Sequence, residues 1–147
     1  MADKTLTITV ASGSEYPSGT GNVYYIDGAR PGDWTVTWLA NATLRFDLSD
    51  SSNDNHPLVF STSNSTTLST FRAGVFSTNV VYYLDGVVGY GDWLTPADFN
   101  AATTRYIEIT PPDFTGFYFG CYTHGISMGG IMSVSYTHLT LPTNREV

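Results

Sequence analysis

FYFGCYTHGISMGGIMSV, residues 117–134, reads as a strand, a short loop and a second strand. GFYFGCY (116–122) places Phe117, Phe119 and Cys121 on one face, and GGIMSVSY (129–136) makes a last strand. The same period of two recurs upstream. TLTITV (5–10) aligns Leu6, Ile8 and Val10, and TLRFDLS (43–49) aligns Leu44, Phe46 and Leu48. HPLVFS (56–61) offers Leu58 and Phe60, and RYIEIT (105–110) offers Ile107 and Ile109. The turn clusters SGSEYPSGTGN, GARPGD and SDSSNDN separate these runs. Only TPADFNAA (95–102) reads as a short helix, with Thr95 as N-cap and Pro96 as first residue. Seven or more short strands with turns between them predict an all-β sandwich.

VYYIDG (23–28) recurs as VYYLDG (81–86), GDW (32–34) recurs at 91–93, and NATLRF (41–46) is loosely matched by AATTRY (101–106). Two readings are open: a strand–turn unit used twice, or a duplicated half-sandwich. A solenoid would need at least three units.

The bulk numbers fit one domain. The chain has 147 residues, of which 41% are hydrophobic and only 13% charged, against a usual charged share of roughly a quarter. Ser, Thr, Asn and Gly must then cover the surface, and ten Tyr with eight Phe favour strands. A net charge of −7 with six Lys and Arg in total excludes the clustered cations that nucleic acid requires and a polybasic membrane anchor. No run reaches the roughly 20 apolar residues of a membrane span. MADKTLTITVAS alternates like a strand, so it is not read as a signal peptide. A single cysteine makes no internal disulfide. The tail SYTHLTLPTNREV (135–147) loses the strand pattern and looks like translated adapter sequence. The expected domain is therefore 1–134, with 135–147 outside the fold.

The loop of the opening stretch carries the chemistry. Cys121 is followed three positions later by His124 and four further on by Met128. Cys-x2-His alone arises by chance, and a strand-end cysteine is often a small buried hydrophobe. Two soft sulfurs and an imidazole from one loop suit copper, whose trigonal sites take two His, one Cys and a weak axial Met. A structural zinc site would draw on four Cys or His. The chain holds three histidines, His56, His124 and His138. With His138 in the tail, His56 is the remaining candidate for the second imidazole; the alternative is a turn histidine after SSNDN. Met132 is a rival axial donor, read as core on its strand. No G-x-S-x-G supports a hydrolase, and Cys121 faces inward, where a nucleophile reacts poorly. Asp47, Asp50 and Asp54 lack the Gly and terminal Glu of a calcium loop. The sequons at Asn41 and Asn64 are expected by chance in so Ser/Thr-rich a chain.

One His in mid-chain and a Cys-His-Met loop before the last strand, in "NHPLVFST" and "FYFGCYTHGISMGGIMSV", resemble the cupredoxins over roughly residues 5–134. The resemblance implies a Greek-key β-sandwich and one copper ion in a type 1 site held by His56, Cys121, His124 and Met128. More narrowly, "DLSDSSNDNHPLVFSTS", "FNAATTRYIEIT" and "CYTHGISMGG" look like small cupredoxin-like proteins of marine microbial and viral genomes. The pattern departs from the family at two places. Many cupredoxins have Asn after the first His, where it ties the two ligand loops together, and Pro before the second; here these are Pro57 and Thr123. Such neighbours tune a metal site.

The expected role is a one-electron carrier serving a redox partner protein, not an enzyme. The alternative is a structural or interaction module, for example virion-associated, in which copper is vestigial or only stabilising. The first implies a periplasmic or other extracytoplasmic location, the second a virion.

Overall fold

The alternating runs become ten strands among the described residues. The computed structural model describes residues 3–12, 21–29, 34–38, 42–110 and 116–136. The strands are β1 (Lys4–Ser12), β2 (Asn22–Ile26), β3 (Trp34–Trp38), β4 (Leu44–Asp47) and β5 (Leu58–Ser61). Then follow β6 (Val80–Leu84), β7 (Val87–Val88), β8 (Arg105–Ile109), β9 (Gly116–Cys121) and β10 (Gly125–Tyr136). One sheet has six strands in the order β2-β1-β4-β8-β6-β7; the other has four, β3-β10-β9-β5. The chain weaves between them, since β3 and β5 belong to the second sheet while β2, β4 and β6 belong to the first. Two pairs are parallel, β1 with β4 and β3 with β10, which a weave supplies and hairpins cannot. This is the expected all-β Greek-key sandwich.

Each period-two face turns inward, because only there can its apolar side chains leave water. Ile8, Phe46 and Ile107 from the first sheet share one buried cluster with Phe60, Phe119 and Met132 from the second. Phe60 meets Phe46 edge-on at 5.4 Å and Phe117 at 5.3 Å between centroids, a geometry that adds to simple area burial. All four residues of β5 are buried, so alternation fails there. The second face of this sheet is covered by α1 (Leu68–Ala73), whose Phe71 sits where a Cβ on Gly120 would stand 2.8 Å from its ring. Gly120 pairs with Val59 of β5.

The repeated hexapeptide is one strand–turn unit used twice. Asp27 and Asp85 have φ of 50 and 51, and Gly28 and Gly86 both 80, the Asp-Gly signature of a type I′ turn. Asp27 exchanges bonds with Thr7, its N–H to the Thr7 carbonyl and its carboxylate to the Thr7 N–H, both 2.8 Å. Asp85 likewise donates to the Thr104 carbonyl and accepts the N–H groups of Thr103 and Thr104. The placement differs, however. β2 lies beside the strand that precedes it and β6 beside one that follows. The second GDW ends in a helix, with Trp93 in α2 (Tyr90–Trp93), whereas Trp34 opens β3. Residues 30–33 lie outside the described set. The echo is shared turn chemistry and not a duplicated half-sandwich.

The expected helix forms as α3 (Pro96–Ala101). Thr95 is its N-cap by position, but its hydroxyl donates back to the Gly91 carbonyl at 3.0 Å and makes no capping bond. α1 and α2 correct the expectation of a single helix. β10 runs through Ser135 and Tyr136, two residues past the expected domain end. Residues 137–147, with His138, lie outside the described residues, as does Asn41. No helix among the described residues is long and apolar enough to cross a membrane.

Candidate metal centre

β9 and β5 run antiparallel with Cys121 opposite Leu58. That register brings the end of β9 beside the residues just before β5, and so Cys121 beside His56. His56 follows a single 3-10 turn at Ser51–Asn53, capped by the Asp50 carboxylate on the Ser52 N–H at 2.9 Å. The His56 N–H donates to the Asn53 carbonyl at 2.8 Å. Asn55 between them takes a φ of 69, a left-handed conformation that Asn adopts more readily than most residues. The His56 carbonyl accepts the hydroxyl of Tyr24, a fully buried side chain, at 2.8 Å. The Tyr122 N–H donates to the Pro57 carbonyl at 2.9 Å. The two ligand loops are therefore tied backbone to backbone, next to the position where the resemblance would put an Asn side chain.

Past Cys121 the chain turns through Thr123 and His124 and re-enters the sheet at Gly125, whose φ of 88 suits glycine. Arg72 of α1 holds this turn, donating from Nε to the Tyr122 carbonyl at 2.7 Å with its guanidinium 4.5 Å from the Tyr122 ring centre. Between Gly125, opposite Cys121, and Gly130, opposite Phe119, the register shifts. Met128 lies in that irregular stretch and is buried. Gly129 beside it has no alternative, because a Cβ there would run into the Phe119 carbonyl. Met132 pairs with Phe117, four residues back along β9 from Cys121, or roughly 13 Å at a strand's rise. It is core.

Three donor atoms converge. His56 Nδ1 and His124 Nδ1 are 3.2 Å apart, and Cys121 Sγ is 3.9 Å from the first and 3.4 Å from the second. A triangle with these sides has a centre about 2 Å from every corner, the length of a bond from a first-row metal to imidazole and close to that to thiolate. No other group of three or more His, Cys, Asp or Glu among the described residues gathers in this way. The acidic residues of 47–54 are otherwise engaged: Asp47 accepts the Ser49 N–H, Asp50 caps the turn, and Asp54 pairs with Arg105.

The surroundings set the charge states. Burial lowers the His56 pKa, and the neighbouring His124 lowers it further against the pull of Asp54. A neutral imidazole is the form that binds metal. Cys121 is fully buried, and burial raises its thiol. The N–H groups of His124 and Thr123, and after them the Thr123 hydroxyl, oppose that rise, as donors to a thiolate must. Half-buried His56 and exposed His124 put one imidazole inside and the other at the surface. Met128 is buried in the adjoining irregular stretch of β10, and one thiolate with two imidazoles is a donor set that suits copper.

Tyr24, Asn55 and Asn100 lie in VYYIDG, NHPLVFST and TPADFNAA, but nothing in those stretches marks them as supports of the His56 loop, where the fold brings them together.

No family model and no curated protein matches the chain. The crystal structure of a multi-copper oxidase from Pseudomonas thermotolerans aligns with it at a TM-score of 0.47 and 10% identity, covering 95% of this chain and 31% of that one. The chain thus spans under a third of that protein's length. Within the chain itself, two packed sheets bring two histidines and a cysteine together where the end of β9 meets the residues before β5, with Met128 buried in β10 nearby in sequence, and this arrangement bears out the resemblance to the cupredoxins.

Proposed function

We propose that this chain binds one copper ion in a type 1 site through His56, Cys121, His124 and Met128, and exchanges single electrons with a redox partner protein. The observation that carries the reading is the convergence of His56 Nδ1, His124 Nδ1 and Cys121 Sγ about a point some 2 Å from each. Bound copper would supply a one-electron couple between Cu(II) and Cu(I). The chain supplies the rest. Cys121 gives up its thiol proton on binding, while His56 and His124 bind as neutral rings with the proton on Nε2. Met128 would add a weak thioether donor. Cys121 sits at the end of β9, Met128 within β10 and the two histidines on short turns, with supports from Tyr24, Asn100 and Arg72, so little would have to move as the metal changes charge. His124 is the exposed ligand, and its outer edge is the natural exit for the electron. Larger copper enzymes need further histidines, and the only other one is His138.

The test is to titrate the reduced, metal-free protein with Cu(II) and record the visible spectrum. An intense thiolate-to-copper band is expected, present in the wild type and absent in Cys121→Ser. A folded wild type that shows no such band overturns the reading and leaves the structural or interaction module. Reversible one-electron voltammetry then separates a carrier from a copper store.

A further inference from the structure

Asn55 lies directly before His56 in a left-handed conformation with a φ of 69. Even Asn visits that conformation less readily than glycine does, so contacts that hold it matter. Two hydrogen bonds do. The Asn55 N–H donates to Asn100 Oδ1 at 2.7 Å, and Asn100 Nδ2 donates to Asn55 Oδ1 at 2.8 Å. Asn100 projects from α3, a helix anchored by fully buried Phe99, which packs edge-on against Trp93 with centroids 5.0 Å apart. Trp93 in turn donates its indole N–H to the Leu58 carbonyl at 2.9 Å, two residues past His56. The Asn55 carbonyl faces Cys121 Sγ at 3.9 Å, so any change at Asn55 is felt by two of the converging donors.

We infer that Asn100 is a positioning residue: its reciprocal amide pair with Asn55 holds the His56 loop in metal-ready shape before any metal arrives. It ties the His56 loop to α3, while the Tyr122 N–H on the Pro57 carbonyl ties that loop to the other one. Its meaning for metal binding rests on the copper reading above; its action on the loop does not.

Asn100→Ala removes both bonds. Asn100→Asp keeps an acceptor for the Asn55 N–H, and rotation of the Asn55 amide then offers Nδ2 to the second carboxylate oxygen, restoring the pair. The experiment compares wild type, N100A and N100D as full chains. In the metal-free proteins, amide hydrogen exchange at Asn55 and His56 is expected to quicken at least about tenfold in N100A and to return in N100D. In the Cu(II)-loaded proteins, N100A should lose about 10- to 100-fold in affinity. Its thiolate-to-copper band and copper hyperfine splitting should also shift, while N100D stays near wild type.

Exchange and spectra in N100A equal to wild type would overturn the inference, as would failure of N100D to rescue. If N100A does not fold, Asn55→Gly decides in its place, because glycine accepts a φ of 69 and still lacks the side-chain bond. If the wild type takes no copper at its thiolate, the proposed function fails, and the exchange comparison still decides whether Asn100 holds the loop.

Discussion

Tyr24 supports the candidate metal centre without offering it a ligand. Its ring is buried in the core and its hydroxyl donates to the His56 carbonyl at 2.8 Å. Burial raises its pKa well above the ordinary tyrosine value, and the nearby Cys121 sulfur raises it further, so it stays a neutral donor. Tyr24→Phe keeps the packing and strands the carbonyl. The expected cost is about 1–2 kcal/mol in the metal-free protein, measured by denaturant unfolding at unchanged m-value. The ligands were legible in the sequence because soft donors at short spacing are rare and their chemistry is specific. Their supports were not. Tyr24 and Asn100 reach the His56 loop across 32 and 45 residues of chain, and no local pattern marks such a pairing.

At the scale of elements, strands were legible and small helices were not. Leu6 and Ile8, or Phe117, Phe119 and Cys121, announce a strand because every second residue must face the core. α1, α2 and α3 each bury a single residue, Phe71, Trp93 and Phe99 respectively. One buried residue produces no period, and α3 was found only through its Thr-Pro start. The two Asp-Gly turns were visible as an echo, but their grip on neighbouring strands was not. Asp85 carries a pH signature. The N–H of Thr104 foremost, and then that of Thr103, hold its carboxyl below the ordinary 3.8. A depressed carboxylate adds stability that is complete above the unfolded pKa and is lost as pH falls through the folded one. Asp85→Asn still accepts these bonds but carries no charge. The wild type should therefore exceed D85N in denaturant midpoint by a constant margin from about pH 5 to 7, a margin that shrinks below about pH 4. A margin that stays flat into acid would contradict the assignment.

Across the whole molecule, Arg105 joins the parts that set the site. It is 1% exposed, and its guanidinium donates to the carbonyls of Leu48, Phe99 and Asp50 and to the Asp54 carboxylate at 2.8 Å. β8, the 47–54 loop and α3 are thereby locked together just behind His56. Arg105→Ala would take the guanidinium from the Leu48 and Phe99 carbonyls and leave Asp54 without its partner, while the Asp50 carbonyl keeps the N–H and side-chain amide of Asn53. Asp54 is partly exposed and can rehydrate, so the expected loss lies at the low end for a broken buried pair, about 3 kcal/mol, read from chemical denaturation. Copper uptake should weaken with it if the loop is loosened.

The sequence by itself determined the β-sandwich and four candidate ligands, because both are written in local terms: alternation for a strand, donor softness for a metal. Only the tertiary structure decided that three of those donors converge, since their meeting depends on the register of β5 against β9. It also places the two methionines, both buried in the core: Met132 pairs with Phe117 along β9, and Met128 lies in the irregular stretch of β10 after Gly125. The loops close despite Pro57 because a tie between them needs only a donor and an acceptor at the right distance. Here those are the backbone groups of Tyr122 and Pro57, with an amide pair reaching in from a helix that sequence spacing does not connect to the site.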